Sequence, residues 1–208
     1  MKDSVIDTGM NPTARSRTGS ETTGSREMEP MELALWLQAG SVCVSERWLA
    51  EIVARGGTMP EEVAGLMDRF IRLFVSFLPA SLGPYHEQVD PLWRQAAELY
   101  GSLGAMRGLA AGEIIEEFQL LREALLRHFD HDPPDSGLRI GLRETLRLNR
   151  MIDRGVTHAS VAHTDSLFFS LFQGSGVPEA LTPEVMQEVR DQLMVMEREF
   201  TALMRLLD

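Results

Sequence analysis

The alternation of apolar and polar positions is strongest in the middle of the chain, from Gly112 to Phe129, where the sequence reads GEIIEEFQLLREALLRHF. Apolar side chains recur there every three or four residues, and charged or amide side chains occupy most positions between them. This spacing places the apolar side chains on one side of a helix. The pattern predicts a central amphipathic helix, whose apolar positions are Ile114, Ile115, Phe118, Leu121, Leu125 and Phe129.

The chain before this helix also reads as helices separated by turns. Apolar periodicity at 31–38 and at 45–55 predicts two helical pieces separated near Gly40, or one bent helix, ended by Gly56-Gly57. Thr58 to Glu61 fits a capping box, in which a hydroxyl is followed by a carboxylate three residues later.

The next boundaries are predicted from prolines and glycines. The helix that begins at the capping box is expected to end at Leu78, because Pro79 and Pro84 then bracket a loop. Asp90-Pro91 is an acidic cap followed by proline in a first turn, so it predicts the start of another helix. Gly108 is expected to close that helix.

After the central helix, the segment 130–137 reads DHDPPDSG and predicts a break. Residues 138–172 contain no proline and predict one long helix, with Gly141 and Gly155 as possible bends. No run of alternating apolar and polar residues is bounded by turn residues, so no strand is predicted. The fold class expected is all-α, a multi-helix bundle.

The ends of the chain differ from this core. Residues 1–29 are rich in Ser, Thr, Gly and Arg and have few large apolar side chains, which predicts a disordered arm. The helical domain then covers 30–172, residues 173–181 form a linker, and 182–208 form a last helix that begins at Thr182-Pro183.

The last helix shows heptad spacing, with apolar residues at strictly alternating intervals of three and four. A seam this narrow favours a coiled-coil-like pairing with the same helix of a second chain, whereas packing on its own domain favours a broader face. We therefore expect a homodimer. The seam residues are Met186, Val189, Leu193, Met196, Phe200, Leu203 and Leu207.

Composition narrows the class of protein. The net charge of −11 disfavours a nucleic-acid partner, which needs basic residues to displace counterions, and it disfavours an anionic membrane surface. The densest apolar run, 70–78, is too short to span a bilayer, and no secretory signal is found. The single Cys43 excludes an internal disulfide framework. These features predict a soluble, cytoplasmic protein.

The histidines give weak metal or cofactor patterns. His128 and His131 lie near Asp130, Asp132 and Asp135, but Pro133-Pro134 favour a turn over a metal site. His158 and His163 are five residues apart on the long helix and point in different directions. No Glu-x-x-His pair of a di-iron bundle exists. A haem needs only one histidine, so a cofactor site at His128, His158 or His163 remains an alternative.

No catalytic motif is found: the sequence has no nucleophile elbow, phosphate-binding loop or dinucleotide fingerprint. Cys43 lies between Val42 and Val44, which predicts an inert buried thiol. We expect no enzyme activity, no catalytic residue, no metal and no cofactor. An enzyme with scattered carboxylates is a third possibility.

Three segments carry a resemblance to a known family, and the most specific is an E-F-x-x-L-R core at Glu117, Phe118, Leu121 and Arg122. Together they resemble the N-terminal sensory domain of RsbR/RsbRD-type regulators of sigma-factor stress signalling, which also precedes some sensor histidine kinases. The resemblance covers 30–172 and implies a globin-like helical sensor. Ala110 departs from it, because a serine or threonine often caps that turn. The three segments are 47–53, 107–129 and 146–156.

Residues 190–207 are similar to the first helix of a histidine kinase's dimerisation domain. Glu199 lies where the phosphoacceptor histidine would be, and a carboxylate cannot form the stable phosphoramidate used there. The helix is therefore either a catalytically silent dimerisation stub or an ordinary coiled coil. No STAS-type or kinase ATP-binding domain is expected after the helical domain.

The sequence thus predicts a non-catalytic signalling protein that acts through helix contacts and homodimerisation. The expected mechanism is a shift in the packing of the long helix around Asn149, Asp153 and Gly155, with Gly155 as the hinge. A downstream kinase or sigma-factor regulator is the expected partner. The alternative is a globin-like sensor that binds haem or another small ligand.

Overall fold

The computed structural model describes residues 26–56, 59–131, 138–172 and 181–207. These residues contain two short strands and six helices, so the predicted all-α class is confirmed. None of these helices combines the length and the apolar character needed to cross a membrane. In chain order the elements are β1 (Arg26–Glu27), α1 (Pro30–Gly56), α2 (Glu61–Leu82), α3 (His86–Met106), α4 (Ala111–His131), β2 (Leu138–Arg139), α5 (Leu142–Phe172) and α6 (Pro183–Leu207).

The helices surround one core, which is rich in aromatic rings. Phe74 of α2 lies at its centre and is fully buried. Rings from α1, α3 and α4 converge on it because each of these helices turns an apolar face inward. Packed ring pairs add about 0.5–1.5 kcal/mol each beyond the area they bury. The rings whose centroids lie 4.2–6.3 Å from that of Phe74 are Trp48, Phe70, Trp93, Tyr100 and Phe118.

Helices α3 and α5 run side by side in the same direction. Arg154 pairs with Asp90 near the start of α3, and Ser166 bonds Ser102 near its end. Between these contacts the two backbones approach closely at Gly101, where an added Cβ would lie 2.0 Å from the carbonyl oxygen of Ala159. Glycine at this position therefore allows the two helices to touch.

The proline boundaries predicted from the sequence are wrong at two places. Helix α2 continues through Pro79 to Leu82, and α3 begins at His86 and passes through Pro91. A proline removes one backbone hydrogen bond, but its fixed φ suits a helix. Pro79 and Leu82 are buried, so their packing outweighs that loss, and Pro91 lies only just beyond the first turn of α3.

The predicted arm and long helix also have different bounds. Residues 26–27 pair in parallel with 138–139, and Met28 is buried in the core, so ordered chain begins before Pro30. Because 138–139 are held in this pair, α5 starts at Leu142. Two pairs of residues are too short for the alternation that predicts a strand. The predicted capping box is wrong, because α2 begins at Glu61 with Pro60 as its N-cap and no side-chain cap, so Glu61 is the first helical residue and not the third. The predictions for residues 1–25, 132–137 and 173–180 lie outside the described residues, as does Thr58 itself.

The remaining helices agree with the sequence. Helix α1 is continuous through Gly40, and α4 extends the predicted central helix by one or two residues at each end. Gly108 has a φ of 76°, a conformation that favours glycine, and it closes α3 as expected. The missing hydroxyl at Ala110 is offset, because its backbone N–H donates to the Glu113 carboxylate at 2.7 Å. That bond is one half of a capping box.

Candidate functional site

A buried cluster of charged and aromatic side chains surrounds Glu117 on α4. The Arg107 guanidinium donates two hydrogen bonds to the Glu117 carboxylate, at 2.8 and 3.0 Å. The Tyr100 hydroxyl donates a third at 2.5 Å. The side chains of Arg107 and Glu117 are only 8% and 10% exposed. Such a bidentate pair is the strong form of a protein ion pair, and its burial protects it from screening.

The cluster joins three helices and a turn. Tyr100 lies on α3, and Arg107 directly follows the last residue of that helix, just before Gly108. Glu117 lies on the apolar face of α4, with Ile114 three residues before it. The indole N–H of Trp48 on α1 donates to the backbone carbonyl of Glu117 at 2.7 Å. A shift of α4 therefore strains contacts with α1 and α3 together.

Burial controls the protonation of this cluster. The pKa of Tyr100 is raised well above its usual value, first by burial and then by the negative charge of Glu117. Burial lowers the pKa of Arg107, but the hydrogen bonds and charge of Glu117 outweigh this, so that its pKa is raised overall. Tyr100 thus remains a neutral donor and Arg107 remains charged at neutral pH.

The raised pKa of Tyr100 predicts a loss of stability in alkali. The folded protein holds the phenolic proton more tightly than the unfolded chain, so this contribution to stability is fully present below about pH 10 and falls above it. We expect Tyr100→Phe to flatten the decline in the free energy of unfolding between about pH 9.5 and 11. Urea denaturation at a series of pH values measures the free energy of unfolding of both proteins.

The other tyrosine, Tyr85, provides the matched control for this measurement. Tyr85 is half-buried and lies outside the Glu117 cluster, so Tyr85→Phe should flatten the alkaline decline less than Tyr100→Phe does. Equal slopes for both variants would contradict the coupling of Tyr100 to folding.

Arg122, which follows Glu117 on α4, connects this helix to α5. Its guanidinium donates to the carboxylate of Asp153, while its Nε is buried without a hydrogen-bond partner among the described residues. One turn earlier, Phe118 lies against Gly155, where an added Cβ would be 2.8 Å from the ring. Leu121 is fully buried between these contacts. Of the four residues that carry the resemblance, Glu117, Phe118 and Leu121 are therefore buried, and Arg122 is partly exposed beside them.

Gly155 has a packing role in the structure. A Cβ there would also lie 3.2 Å from the Trp93 ring, and the Trp93 indole donates to the Met151 carbonyl at 3.2 Å. Helix α5 is continuous through this position. The assignment of Gly155 as a hinge therefore stays a prediction.

The histidines of the cofactor alternative lie in different places. His128 stacks on Trp36 with ring centroids 4.5 Å apart, and Gly40 leaves room for it, since a Cβ there would lie 1.9 Å from its Nε2. His163 Nε2 is 2.8 Å from the Leu109 carbonyl oxygen. His158 Nδ1 is 3.3 Å from Glu98. These rings are packed or hydrogen-bonded separately, and the structure does not bring them together around one ligand.

No group of three or more metal-ligating side chains occurs in the described part of the chain. The Asp-rich turn after His131, where such a group was weighed from the sequence, lies largely outside it. Cys43 is exposed, so the prediction of a buried thiol is wrong. The prediction rested on the apolar neighbours of Cys43, but one of them, Val42, is itself 54% exposed.

The heptad seam of α6 is covered by the chain itself. Its first four residues are at most 4% exposed, and the helix packs on α2 and α3. Phe200 meets the edge of Phe77 at 4.8 Å between ring centroids, and Leu203 is half-buried. Arg69 on α2 binds the Glu197 carboxylate with two hydrogen bonds, at 2.7 and 2.9 Å. The first four residues are Met186, Val189, Leu193 and Met196.

The heptad spacing of α6 therefore no longer supports a homodimer. The same apolar spacing suits packing on the chain's own core, as the structure shows, and packing on α6 of a second copy. The homodimer itself stays a prediction. The side chain of Leu207 lies outside the described residues, and Glu199 is exposed.

Sequence reasoning singled out Glu117 only through the resemblance, and it missed Tyr100, Arg107 and Trp48. One signal was available, because Glu117 lies three residues after Ile114 and four before Leu121, within the apolar face. A carboxylate at such a position needs a buried partner. Comparison of the chain with protein-family models, curated proteins and solved structures gives no match. Function is therefore inferred from the residues and their contacts.

Proposed function

We propose that the chain is a non-catalytic, cytoplasmic signalling protein similar to the sensory domains of RsbR/RsbRD-type stress-response regulators. In this proposal the bundle is a globin-like sensor that works as a homodimer through helix contacts. A downstream kinase or sigma-factor regulator reads its state. What supports the proposal is the position of the residues that carry the resemblance.

The observation that carries it is the pair of ionic links on α4. Glu117 binds Arg107, which stands at the turn between α3 and α4, and Arg122 binds Asp153 on α5. Phe118 lies between them and fills the space left by Gly155. One short stretch of α4 thus fixes the position of the helices on both sides of it. This is the arrangement that a relay between helices needs.

The proposed mechanism is a small rotation or translation of α5 against α4. Packed interfaces have discrete arrangements and do not deform continuously, so a signal that favours one arrangement changes the whole interface. Asp153 binds Arg122 across this interface, Gly155 lies within it, and Asn149 lies one turn before Asp153 on α5. The C-terminal helix α6 contributes either as a silent stub, in which Glu199 stands in place of a phosphoacceptor, or as an ordinary coiled-coil helix.

The Arg122 link separates a relay from a merely structural contact. Asp153 is 64% exposed, so the pair contributes at most about 1 kcal/mol to stability. If α4 controls α5, Arg122→Ala changes the affinity for the downstream regulator about fivefold or more, the usual lower size of a coupling between sites. We expect this change while the free energy of unfolding falls by less than about 1 kcal/mol.

The experiment is calorimetric titration of the purified full chain with each kinase, phosphatase and sigma-factor regulator encoded beside its gene. Arg94→Ala is the matched control, because the Arg94 side chain is 57% exposed and forms its salt bridge with Glu98 of the same helix, away from α4 and from the outer face of α1. We expect one regulator to bind, with Arg94→Ala unchanged. Absence of any binding, or equal effects of the two arginine variants, would contradict the proposal.

A further inference from the structure

Helix α1 has a second apolar face, which points away from the core. Its inner face is buried, as expected, by residues such as Leu37, Trp48 and Ile52. On the outer side, apolar side chains recur along nearly the whole helix. A helix that is apolar on both sides is usually covered on both sides. The exposed residues are Met31 (45%), Leu35 (61%), Val42 (54%) and Val53 (39%).

Charge is sparse on this outer face. Among the exposed residues between Met31 and Val53 only Glu46 is charged, while the charged residues Glu32, Arg47 and Glu51 of the same stretch are half-buried. Glu46 itself faces Arg72 of α2 at 3.7 Å. The remaining exposed positions are Gln38, Ala39, Cys43 and Ala50. Depletion of charge at the centre of a patch is the compositional mark of a protein interface.

The outer face is also symmetric along its length. Met31 and Val53 are equally far from Val42, and Leu35 and Ala50 lie at nearly equal distances on either side of it. Two copies of α1 that run antiparallel across a two-fold axis at Val42 would therefore place large apolar residues opposite apolar residues. Isologous interfaces require such self-complementarity.

The borders of the face carry charged side chains. On the α2 side, Arg72 lies between Glu46 and Asp68, and on the α4 side Arg127 lies near Glu51. In an antiparallel pair, each border of one copy lies beside the same border of the other copy, and the two borders run in opposite directions. The charges on both borders are paired within one chain, so an antiparallel copy brings no unpaired charge against the face. The net charge of −11 is thus not concentrated at this face.

We propose that a second copy of this chain covers the outer face of α1, with the two α1 helices antiparallel and crossing at Val42 and Cys43. From Met31 to Val53 the face is about 33 Å long at 1.5 Å per residue. A stable interface buries roughly 800 Å² per partner, so the helices on both sides of α1 have to contribute to the contact as well. The inference rests on the dimeric state in the proposed function and adds the face that forms the dimer.

Cys43, the only cysteine in the chain, gives a direct assay. Next to the two-fold axis, the Cys43 thiols of the two copies lie close together. A short bismaleimide added to the purified full chain should therefore convert most of it to a covalent dimer on a denaturing gel. Light scattering of the untreated protein should give the mass of a dimer.

The variant that tests the contact is Val42→Asp, which places two like charges at the axis in a desolvated site. We expect the covalent dimer to fall at least tenfold and the scattering mass to become that of a monomer. Val161→Asp is the matched control, because Val161 on α5 is 55% exposed and the substitution is identical. That variant should cross-link and scatter as the unmodified chain does.

The outcomes separate this inference from the proposed function. A dimer that does not cross-link through Cys43 and survives Val42→Asp overturns the α1 face but leaves the dimeric regulator intact. A dimer that dissociates with Val161→Asp and not with Val42→Asp overturns the α1 face and indicates that α5 forms the interface. A monomer at all concentrations overturns both the face and the dimeric state. A Cys43 that resists a monofunctional maleimide in the monomer shows that the same chain covers the face, which also overturns it.

Discussion

Replacing Glu117 with alanine is expected to lower the free energy of unfolding by about 3–5 kcal/mol, because removal of one partner leaves a buried charge unpaired. The Arg107 guanidinium would lose the two carboxylate oxygens to which it donates, and the Tyr100 hydroxyl would lose the carboxylate that accepts its hydrogen bond. Urea denaturation followed by circular dichroism measures the change. A loss this large would place the Glu117 cluster among the main determinants of the fold.

The adjacent residue supplies the control. Glu116→Ala removes the same group from the same helix, but the Glu116 side chain is 66% exposed and reaches Arg55 only at 3.4 Å. Its effect should lie within about 0.5 kcal/mol. A second test replaces both charges, as Arg107→Met with Glu117→Leu, and should cost less than Glu117→Ala alone. Equal losses for Glu116→Ala and Glu117→Ala would contradict the assignment.

Gly101→Ala is expected to have the second large effect, a loss of about 3 kcal/mol, since a forced methyl group in a packed contact costs about 1–3 kcal/mol and occasionally more. The obstacle is backbone, with the Ala159 carbonyl oxygen 2.0 Å and its carbon 2.7 Å from the new Cβ. No side chain can rotate away to relieve it. Helices α3 and α5 would have to separate, which disturbs the Trp93 and Gly155 contacts as well.

The control for this prediction is the same substitution in open space. Gly65 lies within α2, and a Cβ there meets nothing within 4 Å. Gly65→Ala should raise the free energy of unfolding by about 0.5–1 kcal/mol through helix propensity. The two variants should therefore shift the denaturation midpoint in opposite directions. A shift in the same direction for both would contradict the close α3 and α5 contact.

Periodicity along the sequence predicted the helices well where the chain is strongly amphipathic. The central helix from Gly112 to Phe129 is the clearest example, because its apolar spacing allows one interpretation. The boundaries at Pro79 and Pro91 were wrong because local chain preferences were weighed without the core. Pro79 is buried within α2, and packing of that kind overrides a lost backbone hydrogen bond.

Periodicity does not say what covers an apolar face. The heptad seam of α6 and the core-facing stripe of an ordinary helix have the same spacing at Val189, Met196 and Leu203, and the structure covers this seam from within. Cys43 was expected to be buried because its neighbours are apolar, and it is exposed on the outer face of α1. Tertiary contacts decide which apolar faces remain for a partner.

The sequence identified only some of the residues of the candidate site. Glu117 and Arg122 were singled out by the resemblance, but their partners Arg107 and Asp153 are separated from them by 10 and 31 residues. Only the path of the chain brings such groups together. Tyr100 and Trp48 complete the cluster from two further helices, and nothing in their local sequence marks them as polar partners.

Hydrogen–deuterium exchange along α5 tests the central claim most directly. The full chain is measured alone and with its bound regulator, and peptides that cover 148–156 are compared with the rest of the protein. We expect binding to change exchange in this segment in the unmodified protein and to change it much less in Arg122→Ala. Unaltered exchange in 148–156 on binding, with protection confined to surface peptides, would contradict a relay through α4 and α5.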